Sequence, residues 1–168
     1  MSAFVDGLAQ FFVPTHLLAV VAIGLLAGQG ALRFPITVFG AYTFGLSVGS
    51  IMIAAALRGQ NTAPMLLGIA ALSGIVIAAA WPIPYRAKEI AASALAGILA
   101  FNAPPQAIAI PSAVAEQVGV SVAALATFAT IVFVAMRAAR PWQRIGVRII
   151  GSWIAASAIL VLALWLTR

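Results

Sequence analysis

Six apolar segments follow one another along this chain, and each is about as long as an α-helix that crosses a bilayer. Only 7% of the side chains are charged and the mean hydropathy is +1.15, whereas about a quarter of the residues are charged in ordinary soluble domains. Backbone groups in lipid must find hydrogen-bond partners within the protein, which favours helices for such segments. The sequence therefore predicts an all-α integral membrane protein, a bundle of six transmembrane helices.

Prolines between the apolar segments set the predicted helix boundaries. Pro14 suits the first turn of a helix, Pro82 and Pro84 end one helix, and Pro104 ends another. The chain length leaves no room for a second, soluble domain beside such a bundle. We expect one membrane domain over residues 1–168, with helices over about 10–28, 34–57, 63–81, 87–102, 114–136 and 145–166.

The basic residues predict the orientation of the bundle, because Lys and Arg collect on the cytoplasmic side of membrane proteins. If the N-terminus faces outward, only Arg58 and Arg168 lie outside. We therefore expect a multi-pass protein of a bacterial inner membrane, with both termini on the periplasmic side. The net charge of +6 is interpreted as topology and not as a nucleic-acid surface. The predicted cytoplasmic residues are Arg33, Arg86, Lys88, Arg137, Arg140, Arg144 and Arg148.

Few residues in this chain could support catalysis. There is no cysteine, which excludes disulfides and thiolate metal sites, and His16 is the single histidine. The sequence contains no HExxH motif, no pair of intramembrane aspartates and no glycine-rich phosphate loop. No series of carboxylates crosses the bundle to relay protons. We expect that the protein is not an enzyme, and no cofactor is evident.

Three ionisable residues lie at predicted helix starts. His16 follows the Pro14-Thr15 helix start and is either an interfacial or capping side chain or a ligand. Glu89 complements the N-terminal dipole of the fourth helix. Glu116 is expected at the solvated start of the fifth helix, with proton or cation transport as its alternative role.

Small residues spaced four apart predict close packing between helices. Lipid gives apolar helices no hydrophobic reason to associate, so small side chains let the backbones approach and gain van der Waals contacts. Packing inside the bundle is favoured over dimer formation between two copies. The residues concerned are Gly24, Gly28, Gly45, Gly49, Ser93 and Gly97.

The N-terminal tail has two interpretations. Phe4, Leu8, Phe11 and Phe12 form one apolar stripe at helical spacing. The stripe is typical of an interfacial helix, and equally of a first spanning helix that begins early. The tail has no basic region of the kind that begins a signal peptide, so we expect no cleavable signal in it.

The segment PTHLLAVVAIGLLAG, at 14–28, resembles the first helix of the HupE/UreJ family, whose signature is similar to HPxxGxDHLLAMxAxGLLA. The residues at 34–36, LLGIAALS at 66–73 and RIIGSWIAASAILVLAL at 148–164 also resemble that family. The resemblance implies six helices and a metal-facing outer side. It further implies a nickel or cobalt permease, or an accessory membrane protein of hydrogenase or urease systems.

The first family motif keeps one of its ligand-type residues in this chain. When His16 is aligned with the second histidine of the motif, Ala9 takes the position of the first histidine. Thr15 then takes the position of the aspartate. The resemblance therefore leaves His16 as the ligand candidate of this segment.

The second family motif, similar to FHGxAHGxE, aligns with FNAPPQAIA from Phe101. Asn102 and Gln106 stand where histidines are expected, and Ala109 stands where the glutamate is expected. Neutral amides keep hydrogen bonds but bind divalent nickel or cobalt weakly. The resemblance thus implies a degenerate member that lacks most metal ligands; a polar turn in an unrelated six-helix protein is the alternative.

Two functions stay open at this point. The first is a permease-like scaffold for nickel, cobalt or another small solute, with His16, Asn102, Gln106 and Glu116 as candidate site residues. The second is a non-transporting structural or accessory subunit that packs against a larger membrane protein complex. Membrane lipids are expected partners in both cases.

Overall fold

The computed structural model describes residues 2–31, 34–54, 62–138 and 140–167. Within these ranges the chain forms seven α-helices and no strand, which confirms the all-α prediction. The helices are α1 (Ser2–Phe11), α2 (Pro14–Gly28), α3 (Ile36–Ala54), α4 (Ala63–Ala79), α5 (Tyr85–Asn102), α6 (Ile110–Met136) and α7 (Pro141–Leu166).

The helix predicted over 10–28 is replaced by two helices in the structure. α1 ends at Phe11, α2 begins at Pro14, and the two axes are bent by 68° at the break. Pro14 fits the first position of α2 because that position needs no backbone N–H donor. Pro111 and Pro141 likewise stand in the first turns of α6 and α7, which both begin about one turn earlier than predicted. Each of α2 to α7 overlaps one of the six predicted segments.

Several helices are long and apolar enough to cross a membrane. Among the described residues α3, α6 and α7 meet this requirement, and the bent pair α1 and α2 adds a fourth span if it is counted as one. α4 is apolar but has 17 residues. α5 carries Arg86, Lys88 and Glu89 in its first two turns, which lowers its hydropathy. The structure therefore describes a helical protein with three to four candidate spans.

The core of the bundle is built around α2. Ten of its 15 residues are buried, on all sides of the helix, and it packs against α4, α5 and α6. The outer helices form pairs, in which α3 packs on α5, α4 on α7 and α1 on α6. The central position of α2 places its first turn, with His16, in the middle of one end of the bundle.

Two contacts show that α5 runs antiparallel to α2. Near the start of α5, Lys88 Nζ donates to the Gln29 carbonyl, 3.0 Å away, just after the end of α2. At the other end, Asn102 is the last residue of α5 and lies beside His16 in the first turn of α2. We call these two ends of the bundle the basic end and the His16 end.

Further contacts give the directions of α4, α6 and α7. Gly28 and Ala135, each within a residue of its helix end, lie together, so α6 ends beside α2 at the basic end. Arg148 Nε, early in α7, donates to the Ala78 carbonyl near the end of α4, at 2.8 Å. α2, α4 and α6 therefore run towards the basic end, whereas α5 and α7 begin there.

Every basic residue that the structure describes belongs to a helix terminus or loop at the basic end. Arg33 lies outside the described residues, as do Arg58 and Arg168. Lys88 and Arg148 donate to carbonyls at the C-terminal ends of α2 and α4, where a positive charge is favourable. The six described basic residues are Arg86, Lys88, Arg137, Arg140, Arg144 and Arg148.

Small residues occupy the closest helix contacts. A methyl group built on Gly45 would overlap the carbonyl oxygen of Ser93, and one on Gly49 would overlap that of Gly97. These four residues, selected from the sequence by spacing, form the crossing of α3 with α5. Gly24 and Gly28 face α6 in the same way, since a methyl group on Gly24 would lie 2.8 Å from the side chain of Ile131.

We predict that Gly45→Ala destabilises the protein by about 1–3 kcal/mol, because α3 and α5 would have to separate to admit the methyl group. Gly40→Ala is the matched control on the same helix, where a Cβ meets open space. The control should be neutral or stabilising by up to about 1 kcal/mol, because alanine favours helices. Thermal unfolding in detergent measures both; equal stability of the two variants would contradict the tight crossing.

Candidate functional site

The site at the His16 end begins with a buried histidine. Pro14 starts α2, and the next residues carry His16 into the interior, where its side chain is only 4% exposed. The side-chain amide nitrogen of Asn102 lies 3.3 Å from His16 Nε2. This contact joins the start of the central helix to the end of α5.

Asn102 fixes which imidazole nitrogen carries the proton. The backbone N–H of Thr62 can only donate, and it lies 3.3 Å from Asn102 Oδ1. The amide NH2 of Asn102 therefore faces His16 Nε2, which must accept and cannot carry a proton. The ring is then neutral, with its proton on Nδ1.

This geometry has a direct consequence for metal binding. A metal ion binds imidazole through an unprotonated nitrogen. In this arrangement the lone pair of Nε2 accepts from Asn102, and Nδ1 holds the proton. Among the described residues no group of three or more His, Cys, Asp or Glu side chains is placed to hold a metal ion. The side chains gathered here do not fit the nickel or cobalt site that the resemblance implies.

Several buried polar atoms around His16 have no hydrogen-bond partner among the described residues. They are His16 Nδ1, the Thr62 hydroxyl oxygen and Gln10 Oε1. They come from the first turn of α2, the residue before α4 and the end of α1, respectively. Buried polar groups without protein partners are typically satisfied by ordered water or by a ligand. The His16 end thus offers neutral donors and acceptors to a small polar molecule.

Glu116 differs from its expected position. It was expected to be solvated at a helix start, and this expectation is wrong, because its side chain is 5% exposed. α6 begins at Ile110, which places Glu116 in the second turn. α1 then covers this turn, with Gly7 directly against the backbone of Glu116. The tail helix α1 therefore covers the turn of α6 that carries Glu116.

The carboxylate of Glu116 holds the loop between α5 and α6. Its Oε2 accepts from the backbone N–H groups of Gln106 and Ala107, at 3.0 and 3.2 Å. Gln10 Nε2 donates to the Pro104 carbonyl of the same loop, at 3.1 Å. Pro104 and its neighbour prevent the helix from continuing, and these bonds replace part of the lost backbone pairing. Glu116 therefore positions the loop.

The four candidate residues form two separate contacts. His16 and Asn102 touch directly, whereas Glu116 reaches the backbone of Gln106. The Gln106 side chain is exposed and makes no hydrogen bond to the described part of the chain. The two amides that align with family histidines therefore have different surroundings, one inside the bundle and one on its surface.

Sequence analysis missed three polar residues of this end. Gln10 and Thr62 contribute to the network described above, and Gln117 Nε2 donates to the Ser50 hydroxyl at 3.1 Å, joining α6 to α3. Amide side chains in largely apolar segments were the available signal for Gln10 and Gln117. Thr62 acts through its backbone N–H, which no residue pattern indicates.

Comparisons with known proteins give no relative for this site. No family model, no curated protein and no solved structure matches the chain. The site consists of a neutral imidazole, one amide that bridges it to the backbone, and hydroxyl and carbonyl oxygens that have no partner in the described part of the chain.

We predict that Glu116→Ala releases the loop between α5 and α6. Charge-assisted hydrogen bonds are worth about 1.5–3 kcal/mol, so hydrogen exchange of the Gln106 and Ala107 amides should accelerate about tenfold or more. Gln117→Ala is the control, since it removes the neighbouring polar side chain of α6 without touching the loop. Unchanged exchange in Glu116→Ala would contradict the tethering role.

Proposed function

We propose that this chain is a small HupE/UreJ-like membrane protein, a permease-like bundle whose degenerate site takes a small polar solute at the His16 end. The observation that supports it is the partly buried His16–Asn102–Thr62 network, together with polar atoms at the same end that have no partner among the described residues. Polar groups inside an otherwise apolar bundle are costly, and their usual role is to line a substrate or ion site.

We propose that α2 to α7 are six membrane spans, with both termini on the periplasmic side of a bacterial inner membrane. The alternating directions of the helices support this arrangement, because consecutive spans of a bundle must alternate. The basic end supports the orientation, since cytoplasmic ends collect Lys and Arg. The His16 end then faces the periplasm, where a solute would enter.

The site favours a neutral, hydrogen-bonding solute over nickel or cobalt. Asn102 occupies the free imidazole nitrogen of His16, and Glu116 uses its carboxylate on the loop. A divalent ion would gain the imidazole and the carboxylate only by breaking both sets of bonds, and its remaining ligands would be weak amide and hydroxyl oxygens. A molecule that both donates and accepts hydrogen bonds can instead pair with the unpartnered atoms without breaking the network.

The second candidate function is a non-transporting subunit of a larger membrane complex. It is favoured by the packing beneath the site, where Ala19, Val20 and Ala22 of α2 are completely buried. A close-packed central helix leaves no solute path along itself in this conformation. In that case the polar network would lock helix ends together, and the lipid-facing surface would contact the partner.

A transport assay separates the two functions. We expect proteoliposomes containing the protein to take up a small neutral probe, urea or glycerol, faster than protein-free liposomes in stopped-flow light scattering. His16→Ala should slow this uptake about tenfold, because it removes the hydrogen bond to Asn102 and leaves the Asn102 amide without that partner. Arg137→Gln, at the opposite end, is the control and should transport normally. Wild-type uptake no faster than that of protein-free liposomes would rule out transport of these probes and favour the subunit.

A further inference from the structure

A second concave surface lies at the basic end, on the opposite side of the bundle from His16. It has a volume of 570 Å³ and lies between the ends of α2, α4 and α6 and the first turns of α7. Gln29 and Gly30 form one wall, Ala80 another, and Arg144 and Arg148 of α7 a third. We call it the basic cleft.

The lining of the basic cleft carries only positive charge. Arg144 and Arg148 are four residues apart on α7 and so lie on the same face of the helix. Both side chains are exposed, and none of the described residues that line the cleft is acidic. Arg148 uses Nε on the Ala78 carbonyl, whereas Arg144 makes no side-chain hydrogen bond within the described ranges. Guanidinium N–H groups therefore remain to bind an anion.

The helix ends around the cleft would repel an anion if they were not neutralised. The C-terminal ends of α2, α4 and α6 carry partial negative charge on their free carbonyls. Lys88 donates to the Gln29 carbonyl and Arg148 to the Ala78 carbonyl, which offsets that charge at α2 and α4. The carboxylate of Glu89, the acidic residue next to Lys88, lines neither this cleft nor its neighbour.

An exposed tryptophan beside the cleft supports a position at the level of lipid headgroups. A neighbouring cleft of 270 Å³ shares Gln29, Gly30 and Ala80 with the basic cleft and adds Trp81 and Lys88. Trp81 is 69% exposed. Exposed tryptophans of membrane proteins concentrate at the membrane–water interface. At this depth the basic cleft would contact the phosphate groups of lipids.

We propose that the basic cleft binds the phosphate of an anionic phospholipid headgroup, with Arg144 as its principal contact and Arg148 as the second. Arginine suits phosphate because its planar fork donates two parallel hydrogen bonds. Basic pockets between helix ends on the cytoplasmic side are a known type of lipid site. The proposal concerns the opposite end from His16 and does not depend on the transport function.

Native mass spectrometry in detergent tests the lipid site, with phosphatidylglycerol and phosphatidylcholine added in equal amounts. We expect wild-type protein to retain phosphatidylglycerol preferentially. The double variant Arg144→Gln, Arg148→Gln should bind it about tenfold more weakly, through the loss of charge-assisted bonds. The control, Arg137→Gln with Arg140→Gln, loses the same charge at the same end but outside the cleft lining and should retain the lipid.

Three results would overturn the proposal. They are equal retention of the two lipids, an equal loss of phosphatidylglycerol in the control, and displacement of the lipid by inorganic phosphate at millimolar concentration. The last result would indicate that the cleft takes a soluble anion. If the double variant fails to fold because Arg148 joins α7 to α4, Arg144→Gln alone decides, since that side chain has no hydrogen bond within the described ranges. The single variant should still lose most of the preference.

Discussion

Burial of α2 on all sides is the constraint on which the rest of the structure depends. Lipid supplies no hydrophobic force to gather helices, so a helix with α4, α5 and α6 around it must be held by van der Waals contact. Gly24 and Gly28 let α6 approach, while alanine and larger aliphatic side chains fill most of the other buried positions of α2. Because α2 is central, its two ends become the two polar regions of the bundle.

The two polar ends of the bundle carry different chemical groups. At one end the His16 side chain is buried. Asn102 accepts a hydrogen bond from the Thr62 backbone N–H and donates one to the neutral imidazole. Among the described residues this end has hydrogen bonds and no basic side chain, a chemistry that fits the neutral solute proposed above. At the other end Arg144 and Arg148 remain exposed beside neutralised helix ends, which suits an anion. One short bundle thus presents two chemically opposite surfaces.

Much of the helix pattern could be predicted from the sequence, because apolar length and proline position act locally. The segments that became α2 to α7 and the small residues at the crossing of α3 with α5 are of this kind. The burial of Glu116 could not be predicted, since it depends on α1 folding back through Gly7 and Gly119 onto α6. The role of Thr62 also depends on a tertiary contact with its backbone.

The hydrogen bond from Asn102 to His16 Nε2 leaves the neutral imidazole no free nitrogen for a metal ion in this conformation. Native mass spectrometry of the detergent-extracted protein, after exposure to nickel, tests this most directly. The account predicts that the wild-type chain carries no nickel and that Asn102→His, which provides a second imidazole beside His16, acquires it. A stoichiometric nickel adduct on the wild-type chain that disappears in His16→Ala would contradict the account.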